Sequence, residues 1–248
     1  MLSLKKIKQV NKEADEQSNV LRLSLDAKAR IKIGQFSRGG KTYANVKTLD
    51  HDFGNDFITP QGIFIPQLDE VQLYFTNSSI TANFIVDTLV QFWTNNKHRF
   101  SNITKIVLNQ DNGPECKSSR TQLIKRLCEF SGKYNLILYL AYYPPYHSKY
   151  NAIERVWGIL EQHWNGGVLD SIGSVIKYAK SMKWNGNYPV VHLNKNKYKT
   201  GQKLNKRTMD AYERIIDRDI ELGKWFVEIK PEKCKKLIMP TLWDNWNY

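Results

Sequence analysis

The chain has 248 residues, 41% of them hydrophobic, and carries 37 Lys and Arg against 24 Asp and Glu, a formal net charge of +13 with a pI near 9.5. That content supports one sizeable core with an appendage, and the excess of positive charge points to a polyanionic partner, of which nucleic acid is the commonest in cells. Cys116, Cys128 and Cys234 are odd in number and never spaced as Cys-x-x-Cys, which excludes a disulfide framework and a zinc site as organising features.

The opening segment has no apolar core fit for a signal peptide, and the longest apolar run, Leu136 to Tyr143, is too short to cross a bilayer. A soluble protein of the cytoplasm is expected, with no membrane partner. Residues 1–19 read as an N-terminal arm or linker. From Val20 to Asp26 the residues alternate, with Leu21, Leu23 and Leu25 on one face and Arg22, Ser24 and Asp26 on the other, which predicts a strand with unlike faces. Residues 27 to 61, with a Gly39-Gly40 turn signal, read as a hairpin or long loop.

Gly62 to Pro66 and Val71 to Thr76 are β-rich and joined by a polar connection of hairpin length. Ser78 or Ser79 can cap the following helix, whose apolar residues Ile80, Phe84, Ile85, Leu89, Phe92 and Trp93 keep helical spacing to about Arg99. Ile106-Val107-Leu108 is a buried strand that ends in the turn Asp111-Asn112-Gly113-Pro114. A helix with Leu123, Ile124, Leu127 and Cys128 on its inner face follows. Leu136 to Tyr143 is the next strand, Pro144-Pro145 breaks it, and a helix starts near Asn151. The sum is an α/β chain, with three antiparallel strands and then parallel ones, flanked by helices over residues 20–165. Residues 166–231 read as a mostly helical C-terminal extension and 232–248 as a tail, where Trp243 and Trp246 have no assigned place.

Three acids stand out: Asp26 ending one strand, Asp111 ending another, and Glu154 in the first turn of a helix. Hard dications such as Mg²⁺ take oxygen ligands and are held by a few carboxylates with water and substrate phosphate, and two of them about 4 Å apart can serve an in-line displacement at phosphorus. Taken singly, Asp26 also suits a solvated strand end, and Asp111 an ordinary Asp-Asn-Gly turn. Asn151-Ala152-Ile153-Glu154 also fits a capping box, with Glu154 reaching back to Asn151. Gly158, one turn beyond Glu154, reads as room for metal or backbone. Trp157 and Trp164 read as core, and Asp50, Asp52 and Asp56 are rival acids.

The segment YYPPYHSKYNAIERVWGILEQHWNG, Tyr142 to Gly166, closely resembles the third catalytic block of DDE transposases with a ribonuclease H-like fold. LSLDAKARIKIGQFSRGG (Leu23 to Gly40) and VLNQDNGPE (Val107 to Glu115) resemble the first and second blocks, and with LDHDFGNDFITPQGI and KWFVEI the chain is similar to the ISAzo-type bacterial insertion-sequence transposases from about Asn11 to Pro231. The resemblance implies a ribonuclease H-like mixed sheet and a catalytic triad of Asp26, Asp111 and Glu154 that binds two Mg²⁺ or Mn²⁺ ions. It implies cleavage of a DNA strand at a transposon end and transfer of the freed 3′ hydroxyl to target DNA, in a nucleoid-associated protein that can form a homodimer. Ala152 stands where the wider group often has proline, and with only some twenty residues before its first strand the chain reads as the catalytic part of a transposase without the helix-turn-helix region that family members usually carry there.

His147, Lys149 and Arg155 flank Glu154 and suit contact with phosphate, and Lys195, Lys197, Lys199, Lys203, Lys206 and Arg207 form a basic stretch suited to tracking a DNA backbone. A solvated surface accounts for these residues as well. Two alternatives to a working transposase stay open on sequence alone: a catalytically idle DNA-binding remnant, and a ribonuclease H-like nuclease acting on hybrids or junctions.

Overall fold

The structure, a computed structural model, describes residues 2–35 and 56–242, the last five as backbone. Among these residues nine strands form one mixed sheet, in the order β7-β4-β3-β1-β5-β6-β9-β8 with β2 paired on β3. The strands are β1 (Val20–Ala27), β2 (Ile31–Lys32), β3 (Phe57–Ile65), β4 (Glu70–Thr76), β5 (Lys105–Asp111), β6 (Ile137–Tyr143), β7 (Val190–Asn194), β8 (Ile216–Arg218) and β9 (Phe226–Ile229). The helices are α1 (Leu2–Glu16), α2 (Ala82–Asn96), α3 (Thr121–Tyr134), α4 (Ile153–Trp164), α5 (Ile172–Ser181), α6 (Lys206–Glu213) and α7 (Pro231–Leu242). No helix of the described residues is long and apolar enough to cross a membrane.

β1, β3 and β4 are antiparallel neighbours, and β5 and β6 then run parallel to β1. The alternation read in β1 divides the core. Leu21, Leu23 and Leu25 face α2 and α3, where they meet Phe84, Leu89, Leu123 and Leu127. On the other face α4 and α5 cover β3 and β4 through Ile153, Trp157, Leu160 and Trp164. Beside them α1 sets Ile7 and Ala14 against Val20, Val107 and Tyr143. The segment expected as an arm or linker is thus a helix that closes one face of the sheet. Its polar composition hid a narrow apolar stripe.

Other differences have local causes. β3 begins at Phe57 and includes Pro60, although an interior proline argues against a strand. The Pro60 carbonyl accepts the Lys28 N–H, so its nitrogen points to the side where β1 has already ended, and the missing donor costs no ladder bond. The turn signal at Gly39-Gly40 lies outside the described residues. The helix after β4 is capped by Thr81, whose hydroxyl accepts the Phe84 N–H, while Ser78 accepts the Tyr198 N–H instead. That helix ends at Asn96, and Lys97–Arg99 tighten into a 3₁₀ turn.

The sheet does not stop at residue 165. Besides α5 and α6, the region expected to be mostly helical supplies β7, which adds parallel to β4, and the β8–β9 pair, which extends the sheet antiparallel from β6. These strands have three to five residues, too few for a period to declare itself. The start of the expected tail is α7, packed on α3 through Cys234.

Candidate active site

β1, β4, β5, β6 and β7 all run in one direction, so their carboxyl ends share one edge of the sheet, the edge at which open α/β sheets bind ligands. Ser24 pairs with Asn109 across β1 and β5, and Asp26 and Asp111 each lie two residues further on, at one level and on one face of adjacent strands. Neighbouring strands stand about 4.8 Å apart. Helix α4 crosses that face, and its first turn brings in Glu154. The three acids act on one another electrostatically: Asp111 and Glu154 both act on Asp26, and Asp111 acts on Glu154.

The Asp26 carboxyl is pushed up to about 7 from its ordinary 3.8, by burial first and then by the neighbouring Asp111 and Glu154 charges, against the opposing hydrogen bond from Trp157. Glu154 is also raised, by burial and by Asp111, and Lys28 opposes the shift. Lys28 is itself held by Glu161 at 2.9 Å. A buried group of like charges resists full ionisation unless a cation compensates it. Among the described residues no three His, Cys, Asp or Glu side chains are arranged to hold one ion as they stand. The donor chemistry nevertheless fits a hard dication, since all three acids offer oxygen alone.

Each aspartate has support that the sequence did not disclose. Trp157, expected as core, is core and more: its indole Nε1 donates to Asp26 Oδ2 at 2.8 Å. It can reach because Gly62, opposite Asp26 on β3, has no side chain; a Cβ there would lie 2.8 Å from Ile153 Cδ1 and from Trp157 Cη2. Cys116 Sγ donates to Asp111 Oδ1 at 3.0 Å, and Gly113 leaves the Asp111 carboxylate room over the turn. The thiol is pushed well up by burial and by Asp111, so it stays protonated as a donor. A cavity of about 200 Å³ opens beside the two aspartates, walled by Leu25, Gln61, Ile80, Ile85, Gln110 and Cys116.

The capping box is not formed. The N–H of Ile153 is taken by Ser24 Oγ at 2.9 Å, and the Asn151 side chain turns into the sheet, accepting from Ser24 at 2.5 Å and donating to the Leu25 carbonyl at 2.9 Å. Glu154 is therefore free of a capping duty. Gly158 is exposed and a Cβ there would meet nothing within 4 Å, so the close approach expected at that glycine occurs at Gly62. Asp56 is exposed beside β3, and Asp50 and Asp52 lie outside the described residues.

The basic candidates border the same edge. His147 and Lys149 follow the end of β6, where His147 Nδ1 lies 2.9 Å from the Pro145 carbonyl and Lys149 sits over the Tyr150 ring. Arg155 is exposed on α4 next to Glu154. Lys195, Lys197, Lys199 and Lys203 are exposed on the segment that leaves β7, which is pinned at Tyr198 to Ser78 and Asp87 and at Leu204 to Thr121. Lys199 shares a small cleft with Arg120 and Glu115, and Glu115 also lines the cavity beside the acids. Lys206 and Arg207, also exposed, open α6.

A mixed sheet with acids at the carboxyl ends of adjacent parallel strands, and a third acid on the helix laid across them, is the ribonuclease H-like fold. The model of the family described as Rhodopirellula transposase DDE domain matches residues 3–231, and the chain belongs to that family of DDE transposases. Among solved structures it is similar to the Mos1 transposase paired-end complex with left transposon end, with a TM-score of 0.50 at 10% identity over 71% of this chain and 51% of that one. A Mos1 mariner paired-end complex with Mn aligns with a TM-score of 0.43 at 8% identity, over 70% of this chain and 50% of that one. The chain thus spans about half the length of these structures, and at such identity the likeness is one of fold. No curated protein matches.

Proposed function

We propose that this chain cuts a DNA strand at the end of a mobile element and joins the freed 3′ hydroxyl to target DNA, with Asp26, Asp111 and Glu154 as the acids that hold two Mg²⁺ or Mn²⁺ ions. The observation that carries the reading is the placement of Asp26 and Asp111 at one level at the carboxyl ends of adjacent parallel strands, with Glu154 on the helix across them, close enough that the two neighbouring charges help raise the Asp26 carboxyl. A fold retains such a cluster at a cost in stability, and function is the usual compensation. Two bound dications would supply stabilisation of the entering and departing oxygens of an in-line displacement at phosphorus. The chain's own part is to present carboxylate oxygens from a rigid strand pair and one helix, to hold Asp26 through Trp157 and Asp111 through Cys116, and to seat the DNA. Lys149, Arg155, Lys195, Lys197, Lys199, Lys203, Lys206 and Arg207 offer phosphate contacts around the same edge, and His147 lies within it.

The test is nicking of supercoiled plasmid with Mg²⁺ or Mn²⁺, comparing wild type with Asp111→Asn. Metal-dependent nicking that the variant loses supports the reading. Equal binding of DNA by both proteins with no cutting by either would replace it with an idle DNA-binding remnant, and preferential cutting of an RNA–DNA hybrid with a nuclease.

A further inference from the structure

Ser24 and Asn151 are among the most deeply buried polar residues described, at 0% and 1% exposure. Three hydrogen bonds run through them: Ser24 Oγ to Asn151 Oδ1, the Ile153 N–H to Ser24 Oγ, and Asn151 Nδ2 to the Leu25 carbonyl. They join β1, at and beside the residue two before Asp26, to Asn151 and Ile153 at the start of α4, three residues and one residue before Glu154. The Trp157–Asp26 bond adds a fourth tie one helical turn further on. Two acids that come from distant parts of the chain are thereby carried on one hydrogen-bonded block.

Apolar side chains would hold a helix on a strand without desolvating a hydroxyl and an amide. What the hydrogen bonds add is direction, because they fix where along β1, and at what rotation, α4 begins. The neighbourhood repeats the pattern. Asn109, the register partner of Ser24 and two residues before Asp111, is fully buried with both amide atoms unpartnered, a polar residue where stability alone would favour an apolar one. Under the acids, polarity is kept at the expense of stability.

We propose that Ser24 and Asn151 are positioning residues for the acidic site: they fix the backbone positions from which the Asp26 and Glu154 carboxylates reach a shared ion, and so set the affinity for divalent cations. The proposal rests on the reading of Asp26, Asp111 and Glu154 as ion-holding acids.

The experiment measures Mn²⁺ binding to the folded, DNA-free protein by calorimetry, alongside thermal melting in EDTA and the Mn²⁺ dependence of plasmid nicking. The variants are Ser24→Ala, Asn151→Ala and Ser24→Thr, which keeps the hydroxyl. The control is Ser131→Ala, which removes an equally buried hydroxyl, bonded to the Leu136 carbonyl at 2.7 Å and remote from the site. Loss of an outer partner of a metal ligand typically weakens binding by about 10- to 100-fold. Ser24→Ala and Asn151→Ala are expected to show a loss of that order and to raise the half-saturating Mn²⁺ for nicking in parallel, with recovery in Ser24→Thr. Ser131→Ala is expected to lower the melting temperature with ion affinity unchanged. If Ser24→Ala does not fold, Asn151→Ala carries the test, since it removes the bonds to Ser24 and to Leu25 and leaves the Ile153 N–H on Ser24. Folded variants whose Mn²⁺ affinity stays within about twofold of wild type, well short of that loss, would overturn the proposal. An Asp111→Asn protein that still binds Mn²⁺ and nicks like wild type overturns the underlying assignment of the acids instead, so the two failures are distinguishable.

Discussion

Replacing Asp26 by Asn removes a charge that the fold resists while keeping the side chain's shape and an acceptor for the Trp157 indole. In the folded protein this carboxyl sits at about 7 against an ordinary 3.8, chiefly because it is desolvated, with Asp111 and Glu154 adding repulsion. The sign follows from proton binding. Between those two values the folded state holds a proton that the unfolded chain has released, so the stability is fully present in acid and is lost as the pH rises toward about 7. At about 1.4 kcal/mol per tenfold change, the gap amounts to about 4 kcal/mol as an upper figure. A chain of this size shifts its melting temperature by about 2–4 °C per kcal/mol. Asp26→Asn is therefore expected to melt above wild type at about pH 8 in EDTA, by up to about 8–16 °C, and level with it at about pH 4. Scanning calorimetry across that pH range reads the difference directly. On the proposed assignment Mg²⁺ is expected to narrow the gap at the higher pH, because a cation beside Asp26 would stabilise the ionised carboxylate of the wild type and have less to act on in the variant. A melting difference that is the same at both pH values would refute the electrostatic account of the site.

The contacts around α4 support three more predictions. Gly62→Ala sets a methyl 2.8 Å from Ile153 and Trp157, and is expected to destabilise by about 1–3 kcal/mol in urea unfolding. Gly158→Ala points into open space on the outer face of α4 and is expected to stabilise by about 1 kcal/mol, so a glycine change beneath this helix and one on its exposed face differ in sign. Trp157→Phe keeps the aromatic packing but deletes the donor to Asp26, a bond that favours the ionised form, so the acid limb of the nicking profile is expected to move to higher pH. For the basic edge, Lys195→Gln, Lys197→Gln and Lys199→Gln combined should lower the salt slope of DNA binding by about 2.7 if all three touch phosphate, read by fluorescence anisotropy in a salt titration; an unchanged slope removes them from the interface.

How far the sequence could be read depended on the distance over which each feature is determined. Asp26 was legible as a strand end because alternation announces a strand's two faces within a few residues: Leu21, Leu23 and Leu25 enter the core beneath α2 and α3, while Ser24 and Asp26 face α4. The positions of α2 to α4 followed from apolar spacing for the same reason. Pro60 concealed the start of β3 because its acceptability depends on β1 having ended beside it, a fact of pairing and not of local preference. β7, β8 and β9 are held by neighbours that already exist, β4 and β6, and need little β character of their own.

The support of the site belongs to the non-local kind throughout. Ser24 stood in plain view on the polar face of β1, yet its partners Asn151 and Ile153 lie some 127 and 129 residues away, and Trp157 lies 131 residues from Asp26. Local rules assigned Asn151 to a cap and Trp157 to the core because those are the strongest local uses of an asparagine before a helix and of a tryptophan on its apolar stripe. In the fold, Asn151 turns its amide into the sheet, Ser24 takes over the capping of α4, and Trp157 serves the core with its ring and the acid with its N–H. A helix whose cap is supplied by the strand it faces loses that bond, worth about 1 kcal/mol, whenever the strand is displaced. Assembly of the third acid is thereby coupled to completion of the β1–α4 interface, so variants that loosen this interface should disturb ion binding before they unfold the protein.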